Sequence, residues 1–526
     1  MKKNNKSICD FFSGHSSATT MKNIIDTGND ITGETVTLFF PGKKQKDINA
    51  LFGHVTHLPL ALLAIAPYIM KENCRVRIVD NRVGDTWPDD YSNDLFVGVT
   101  SKTGAEVKNC IDFIRHVKAR NHHVPIVWGG VHASILPDVT LREDYVDYVV
   151  RGPGEEAVAK IIRALRGKMS LDDIEGLSYK KEGRIVHVGF PRPVDVDKLE
   201  MPAFDLVDAG KYKNLSKSVD YESSRGCPHR CAFCYNISMG NYRKWQGKSP
   251  EKVVQEIEYI LDRFNPASVD FVDDYVFVDV KRIERILQLI SARKIRFNWS
   301  ASCRIDQFSK FSDKFVKFMA EKGLRKIFFG AESHSEKILR MLHKEYKYEM
   351  ALAVVEKCKK SGIIPVFNYI IGFPGEDYSD ISVTLNGIKH LKAIFNSLEI
   401  SAISVYIPFP GSSLFNDCQQ LGMKCPDTLE EWSSWQFVNR KDFPWLDKKK
   451  AAYTSGIYFT FRIEYIIDEI INRAKGGNKI IWLLFRFLVF PLDMLERWRI
   501  KNDRYLYHAE GKIIQKALQL LVADII

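Results

Sequence analysis

The chain has 526 residues, 45% apolar and 27% charged, which suits roughly three or four globular domains and excludes a fibrous or wholly disordered protein. Its net charge of +11 favours an anionic neighbour (a membrane surface, a phosphorylated substrate or nucleic acid) but fits a generally basic enzyme equally well. Residues 1–33 are polar and aperiodic, and no apolar stretch follows the basic start, so they read as a loose tail rather than a secretory signal.

Residues 34–188 alternate short apolar runs with helical patterns. The runs "VTLFF" (36–40), "VRIVD" (76–80), "LFVGVT" (95–100), "PIVWGG" (125–130) and "YVDYVV" (145–150) read as buried strands. Segments such as "GAEVKNCIDFIRHVKAR" between them carry apolar residues at helical spacing. This predicts a parallel, doubly wound α/β sheet of Rossmann-like type. Small residues close its strands: Thr100-Ser101, Gly129-Gly130 and "RGPGEEA" (151–157), the last opening a helix. They let a ligand approach the backbone, or they merely turn the chain. Residues 189–216, rich in Pro and Asp, read as a surface linker.

A second alternation runs over 217–415. Six strands are predicted: "YESSRG" (221–226), "SVDFVDD" (268–274), "FNWSASC" (297–303), "KIFFG" (326–330), "PVFNYIIG" (365–372) and "EISAISVY" (399–406). Ser249-Pro250 and Ser312 are expected to start helices. Six βα units predict a partial (β/α)6 barrel. Unusual residues fall where its strands end: Cys227 to Cys234, Asp273-Asp274, Arg304, Glu332-Ser333, "GFPGE" (372–376) and "PFPGS" (408–412). Parallel barrels keep their active sites at those ends, so the clustering points to an enzyme.

Seven of the ten cysteines are scattered singly, as expected of reduced thiols in a cytosolic protein. Cys227, Cys231 and Cys234 are clustered in "SSRGCPHRCAFCYN" (223–236). With His229 they could ligate zinc, although no second cysteine pair completes a structural clip. Three thiolates also suit a [4Fe–4S] cluster with one iron left open to a small molecule. From ligand arithmetic alone, zinc, an iron–sulfur cluster and no metal all stay open, the cluster favoured.

The C-x3-C-x2-C spacing, with Phe233 before the third cysteine, resembles the radical SAM signature. "FVDDYVF", "GAESHSEKILRMLHKEYKYE", "YIIGFPGE" and "YIPFPGSSLF" follow in an order similar to the cobalamin-binding branch of that superfamily. "HLPLALLAIAPYI", "VWGGVHAS" and "VVRGPGEEA" resemble its B12-binding domain. The resemblance covers 34–415. It implies a [4Fe–4S] cluster on Cys227, Cys231 and Cys234, and S-adenosylmethionine (SAM) beside Phe233, Asp273, Asp274, Arg304, Glu332, Ser333, Ile371, Gly372 and Tyr406. It also implies cobalamin near Ser101, Thr103, Gly129, Gly130, Gly154 and Glu155, with His132 as a wall residue. The sequence does not choose between Asp273 and Asp274. The cobalt-ligating D-x-H-x-x-G motif is missing, and Pro153 stands where relatives often have Glu; the first point predicts no histidine ligand from that loop.

The implied activity is reductive cleavage of SAM to a 5′-deoxyadenosyl radical that activates an unreactive carbon, most often for methylation of a lipid-like or natural-product substrate. Ring formation or rearrangement is the alternative within the family. A methylthiotransferase would want N-terminal cysteines and an RNA-binding module. Outside the family's chemistry stand a non-catalytic cobalamin or iron–sulfur sensor and a zinc-stabilised interaction protein. A one-electron donor such as flavodoxin or ferredoxin is implied, and no nucleic acid. Residues 416–526 lack βα alternation and predict a mostly helical region. Within them "NKIIWLLFRFLVFPLDMLERWRIK" (478–501), broken by Arg486 and Pro491, is too short an apolar run to span a bilayer. It reads as an interfacial amphipathic helix or a buried helix, the net charge tipping toward the former. The expected location is cytoplasmic, with peripheral contact on the inner membrane face.

Overall fold

In the computed structural model of the protein, the residues described are 33–42, 57–190, 193–212, 215–239, 244–435 and 443–474, with 462–474 described by backbone alone. The N-terminal apolar runs form β1 (Thr35–Phe40), β2 (Arg75–Asp80), β3 (Asp94–Thr100), β4 (Ile126–Gly129) and β5 (Tyr148–Val150). They pair in parallel in the order 2-1-3-4-5. This is the flavodoxin-like doubly wound order, which opens a crevice at the C-terminal ends of β1 and β3. Strand alternation divides the core. Val36, Leu38 and Phe96 pack with the helices Leu60–Met70 and Glu155–Leu165. Phe39, Val97 and Val99 pack on the other face with Ala105–Arg120.

An antiparallel hairpin, β6 (Leu177–Lys181) and β7 (Arg184–His187), extends the sheet beyond β5. The sequence pattern did not reveal it. Its exposed Lys181 and Arg184 interrupt the continuous apolar run that marks strands buried on both faces.

The second half contains β8 (Ser218–Tyr221), β9 (Ser224–Arg225), β10 (Gln246–Gly247), β11 (Ser268–Phe271), β12 (Asn298–Cys303), β13 (Leu324–Glu332), β14 (Ile364–Ile371) and β15 (Glu399–Val405). Six of them form an open parallel sheet in the order β8-β11-β12-β13-β14-β15, the partial (β/α)6 barrel. Its first strand lies earlier than expected, at 218–221 rather than 221–226. Only Val219 and Tyr221 of β8 are buried, so it carries no apolar run, while Ser224 and Arg225 leave the sheet to pair with β10.

The helix Pro250–Phe264 buries Val253, Val254, Ile257 and Ile260 as its periodicity demands. Ser249 stands at its N-cap without a side-chain capping bond; its backbone N–H donates instead to Asp197 at 2.6 Å. Ser312 does cap its helix, accepting from the Phe315 N–H at 3.2 Å.

Two segments join the halves. The helix Leu60–Met70 is apolar on more than one side, with Leu62 and Ile69 in the first core and Leu63 in the second. The linker is strapped down: Ala203 N–H donates to Leu63 O at 2.9 Å, and Lys252 donates to the carbonyls of Asp197 and Leu199, each at 2.6 Å. Beyond the barrel come the helices Ser413–Gln420, Leu429–Trp432 and Lys448–Ala474. Trp435 and Trp445 anchor this region on strand-end carbonyls, donating to Pro408 O at 2.7 Å and Gly372 O at 3.0 Å. Among the described residues no helix is long and apolar enough to cross a membrane. The stretch 478–501 lies outside the described residues.

Candidate active site between the two sheets

A cavity of about 360 Å3 lies between the two halves. One wall is the C-terminal edge of the first sheet, with Gly98, Thr100, Gly129, Gly130, Gly154 and Glu155. The other comes from the barrel, with Tyr221, Glu222, Arg225, Lys248 and Val272, and the linker adds Met201 and Pro202. Gly130 has φ +84°, and a Cβ there would meet the Thr100 Oγ1 at 2.5 Å and the Ser101 backbone at 2.9 Å. Only glycine lets the two loops approach so closely.

Four of the seven residues predicted for cobalamin (Gly129, Gly130, Gly154 and Glu155) line the cavity. The other three lie behind it. Ser101 accepts from the Trp128 indole at 3.0 Å, and Thr103 shares a hydrogen bond with His132 Nδ1 at 3.1 Å. His132 is fully buried against Trp432, and burial lowers its pKa to about 3, so it is neutral. Among the described residues that line the cavity there is no histidine and no cysteine.

The cysteine loop follows β9. Cys227, Cys231 and Cys234 are free and partly exposed, whereas Cys74, Cys110, Cys303, Cys358 and Cys418 are buried. A turn from Cys234 N–H to Cys231 O, 3.0 Å, ties the last two together. Burial pushes the Cys234 thiol up to about 11 and also raises Cys227. His229, the fourth ligand considered for zinc, packs on Tyr275 with ring centroids 5.0 Å apart. Among the described residues no three His, Cys, Asp or Glu side chains gather tightly enough for a single metal ion.

The structure separates the two aspartates. Asp273 is buried and accepts from Ser223 Oγ at 2.8 Å, from Ser223 N–H at 3.3 Å and from Ser224 Oγ. Asp274 is exposed and turned to the cysteine loop, accepting from Gly226 N–H at 3.2 Å and from the Asn236 amide at 2.9 Å. Arg304 donates to Asp306 at 2.9 Å and reaches Cys231 Sγ at 3.5 Å.

Glu332 adopts φ +64° and pairs with Lys344 at 3.0 Å. Ser333 is fully buried and shares a hydrogen bond with Thr384 at 2.9 Å. Ile371 ends β14 and Gly372 follows it, and Tyr406 N–H donates to Ile371 O at 2.8 Å. The Tyr406 ring lies 4.8 Å from that of Phe373.

Two residues escaped sequence reasoning. Lys344, its side chain 8% exposed, lies 5.6 Å from the Phe233 ring and donates to Gly330 O at 3.0 Å. Its position in "HKEYKYE" was the available signal. Arg225 pairs with Glu155 of the first domain at 2.6 Å. Its place two residues before Cys227 was visible, but no sequence pattern gives a partner seventy residues upstream.

A doubly wound domain facing a partial barrel, with a cavity between them and a three-cysteine loop beside it, defines a two-domain cofactor enzyme. Residues 47–162 match the B12 binding domain and residues 221–387 the Radical SAM superfamily. An uncharacterized methyltransferase of Pyrococcus horikoshii is 30% identical over 369 residues, 68% of this chain and 77% of that protein. An anaerobic magnesium-protoporphyrin IX monomethyl ester cyclase of Synechocystis sp. is 24% identical over 328 residues, 60% and 64% of the two chains. Among solved structures, the cobalamin-dependent SAM radical enzyme OxsB, with aqua-cobalamin and SAM bound, superposes with a TM-score of 0.66 at 17% identity, covering 94% of this chain and 76% of that one.

The chain belongs to the cobalamin-dependent radical SAM methyltransferase family, the class B enzymes. The family's cofactors are a [4Fe–4S] cluster, SAM and cobalamin. The residues present fit them. Three partly exposed free thiols share one loop, as ligation of a cluster requires. The cavity wall carries a buried acceptor, Glu155 Oε2, with no hydrogen-bond partner.

Proposed function

We propose that this chain is a class B radical SAM C-methyltransferase acting on an unactivated carbon of a lipid-like or natural-product substrate. When bound, the cluster supplies one electron that breaks the sulfonium of SAM and cobalamin carries the methyl group. Cys227, Cys231 and Cys234 would hold the cluster. Asp274, rather than the inward-turned Asp273, is suited to the methionine ammonium. Phe233, Ile371, Gly372 and Tyr406 would hold the adenine end of SAM, and Glu332 the ribose, steadied by Lys344. Gly129, Gly130, Gly154 and Glu155 would contact the corrin, with Ser101, Thr103 and His132 supporting that wall from behind. An electron donor of the flavodoxin or ferredoxin kind would reduce the cluster.

One observation carries this reading. A single cavity is walled on one side by the glycine-rich strand ends of the first sheet and on the other by Arg225, two residues before the cysteine loop. That juxtaposition supports the reading, because methyl transfer to an inert carbon requires a carrier and a radical source held close together.

The test is anaerobic reconstitution with iron, sulfide and hydroxocobalamin, followed by optical spectra and dithionite-driven SAM cleavage. Expected are cluster absorption, corrin bands, 5′-deoxyadenosine and, with substrate, a methylated product alongside S-adenosylhomocysteine. Cleavage without bound corrin would overturn methyl transfer. Corrin binding and cleavage without S-adenosylhomocysteine would favour ring formation, the chemistry named for the Synechocystis relative.

A further inference from the structure

The strand that enters the cysteine loop reaches back to the first domain. Arg225 Nη2 pairs with Glu155 at 2.6 Å, and its Nε donates to Glu222 at 2.8 Å. The Arg225 and Glu155 side chains are only 16% and 5% exposed. Glu155 opens the helix Glu155–Leu165, and all three residues line the cavity. An ion pair in water contributes little, whereas one withdrawn from it is strongly directional and costly to break. The adjoining Gly226 N–H is fixed in turn by Asp274 at 3.2 Å. A continuous path therefore runs from the cavity wall through Glu155, Arg225 and Gly226 to Cys227.

A second observation bears on what completes this path. Glu155 Oε2 is buried without a hydrogen-bond partner. An unsatisfied buried acceptor is unfavourable, and a corrin rim carries primary amides whose N–H groups are donors.

The geometry points to Arg225 as a positioning residue that couples occupancy of the cavity to the cysteine loop. A donor on Glu155 fixes the carboxylate, the carboxylate fixes Arg225, and Arg225 fixes the backbone entering Cys227. This rests on the cobalamin reading of the cavity. Such coupling is reciprocal: whatever factor cobalamin contributes to cluster retention, the cluster contributes to cobalamin affinity.

The experiment titrates hydroxocobalamin into the full chain, with and without a reconstituted cluster, by equilibrium dialysis. It uses the wild type, Glu155→Gln and Arg225→Lys, with circular dichroism as the folding control. In the wild type the cluster should tighten binding about fivefold or more. The ratio should fall toward one in Glu155→Gln and to an intermediate value in Arg225→Lys, which keeps the charge but not the two-pronged geometry. A wild-type ratio of one, or a ratio unchanged in the folded variants, overturns the coupling and leaves the cobalamin reading standing. If Glu155→Gln does not fold, Arg225→Lys decides. A wild type that binds no hydroxocobalamin in either state overturns the cavity reading itself, and the coupling with it.

Discussion

Arg304 Nη1 lies 3.5 Å from Cys231 Sγ while its Nε is held by Asp306 at 2.9 Å. The guanidinium is thus fixed from one side and donates to a cysteine sulfur from the other. Hydrogen bonds and positive charge at the sulfurs raise the potential of an iron–sulfur cluster. Arg304→Met should therefore shift the midpoint of the SAM-free reconstituted cluster to more negative values, read by EPR-monitored redox titration. An unchanged midpoint with weakened SAM binding would confine Arg304 to the SAM carboxylate.

Asp273 and Asp274 are adjacent in sequence and differ in burial and in partners. Asp273 gathers Ser223 and Ser224 and lies near the buried Arg282. Asp273→Ala should cost about 3 kcal/mol, because it leaves buried charge uncompensated. Asp274→Ala removes exposed contacts to Gly226 and Asn236, and should cost about 1 kcal/mol or less. Urea denaturation measures both, and SAM binding should weaken in Asp274→Ala.

Gly130→Ala places a Cβ within 2.5 Å of Thr100 Oγ1 at φ +84°. The backbone penalty alone is about 1–2 kcal/mol. The variant should melt at lower temperature and lose cobalamin affinity, since relief of the clash moves the cavity wall. Unchanged melting would mean that the two loops part freely.

Glu376, in "GFPGE", accepts from the N–H groups of Gly372 and Phe373, and burial raises its pKa to about 7. A raised carboxyl contributes its stability below its unfolded pKa, near 4.5, and loses that contribution as pH climbs through about 7. The full span is on the order of 3 kcal/mol. Glu376→Gln keeps an acceptor for both N–H groups and should flatten this fall, as read by thermal melts between about pH 4.5 and 8. An identical fall in the variant would place its cause elsewhere.

Much of this was legible without coordinates because local chemistry repeats along the chain. Short apolar runs such as "VTLFF" and "PIVWGG", bounded by turn residues and rich in branched or aromatic side chains, read as strands buried on both faces, and the spacing of Cys227, Cys231 and Cys234 fixes a three-thiol loop. Where burial is one-sided the pattern fades, which hid β8 and the β6–β7 hairpin.

The sequence by itself determined the two α/β layers, the order of the domains and the residue types at the strand ends, since these depend on periodicity and on what each side chain can do. Only the tertiary structure turned Asp273 inward and Asp274 toward the cysteine loop, because two consecutive residues at a strand end point to opposite sides. It alone put Arg225 against Glu155 and Lys344 against Glu332. Those pairings follow from how the strand ends and the two domains pack, and no pattern local to either residue carries that information.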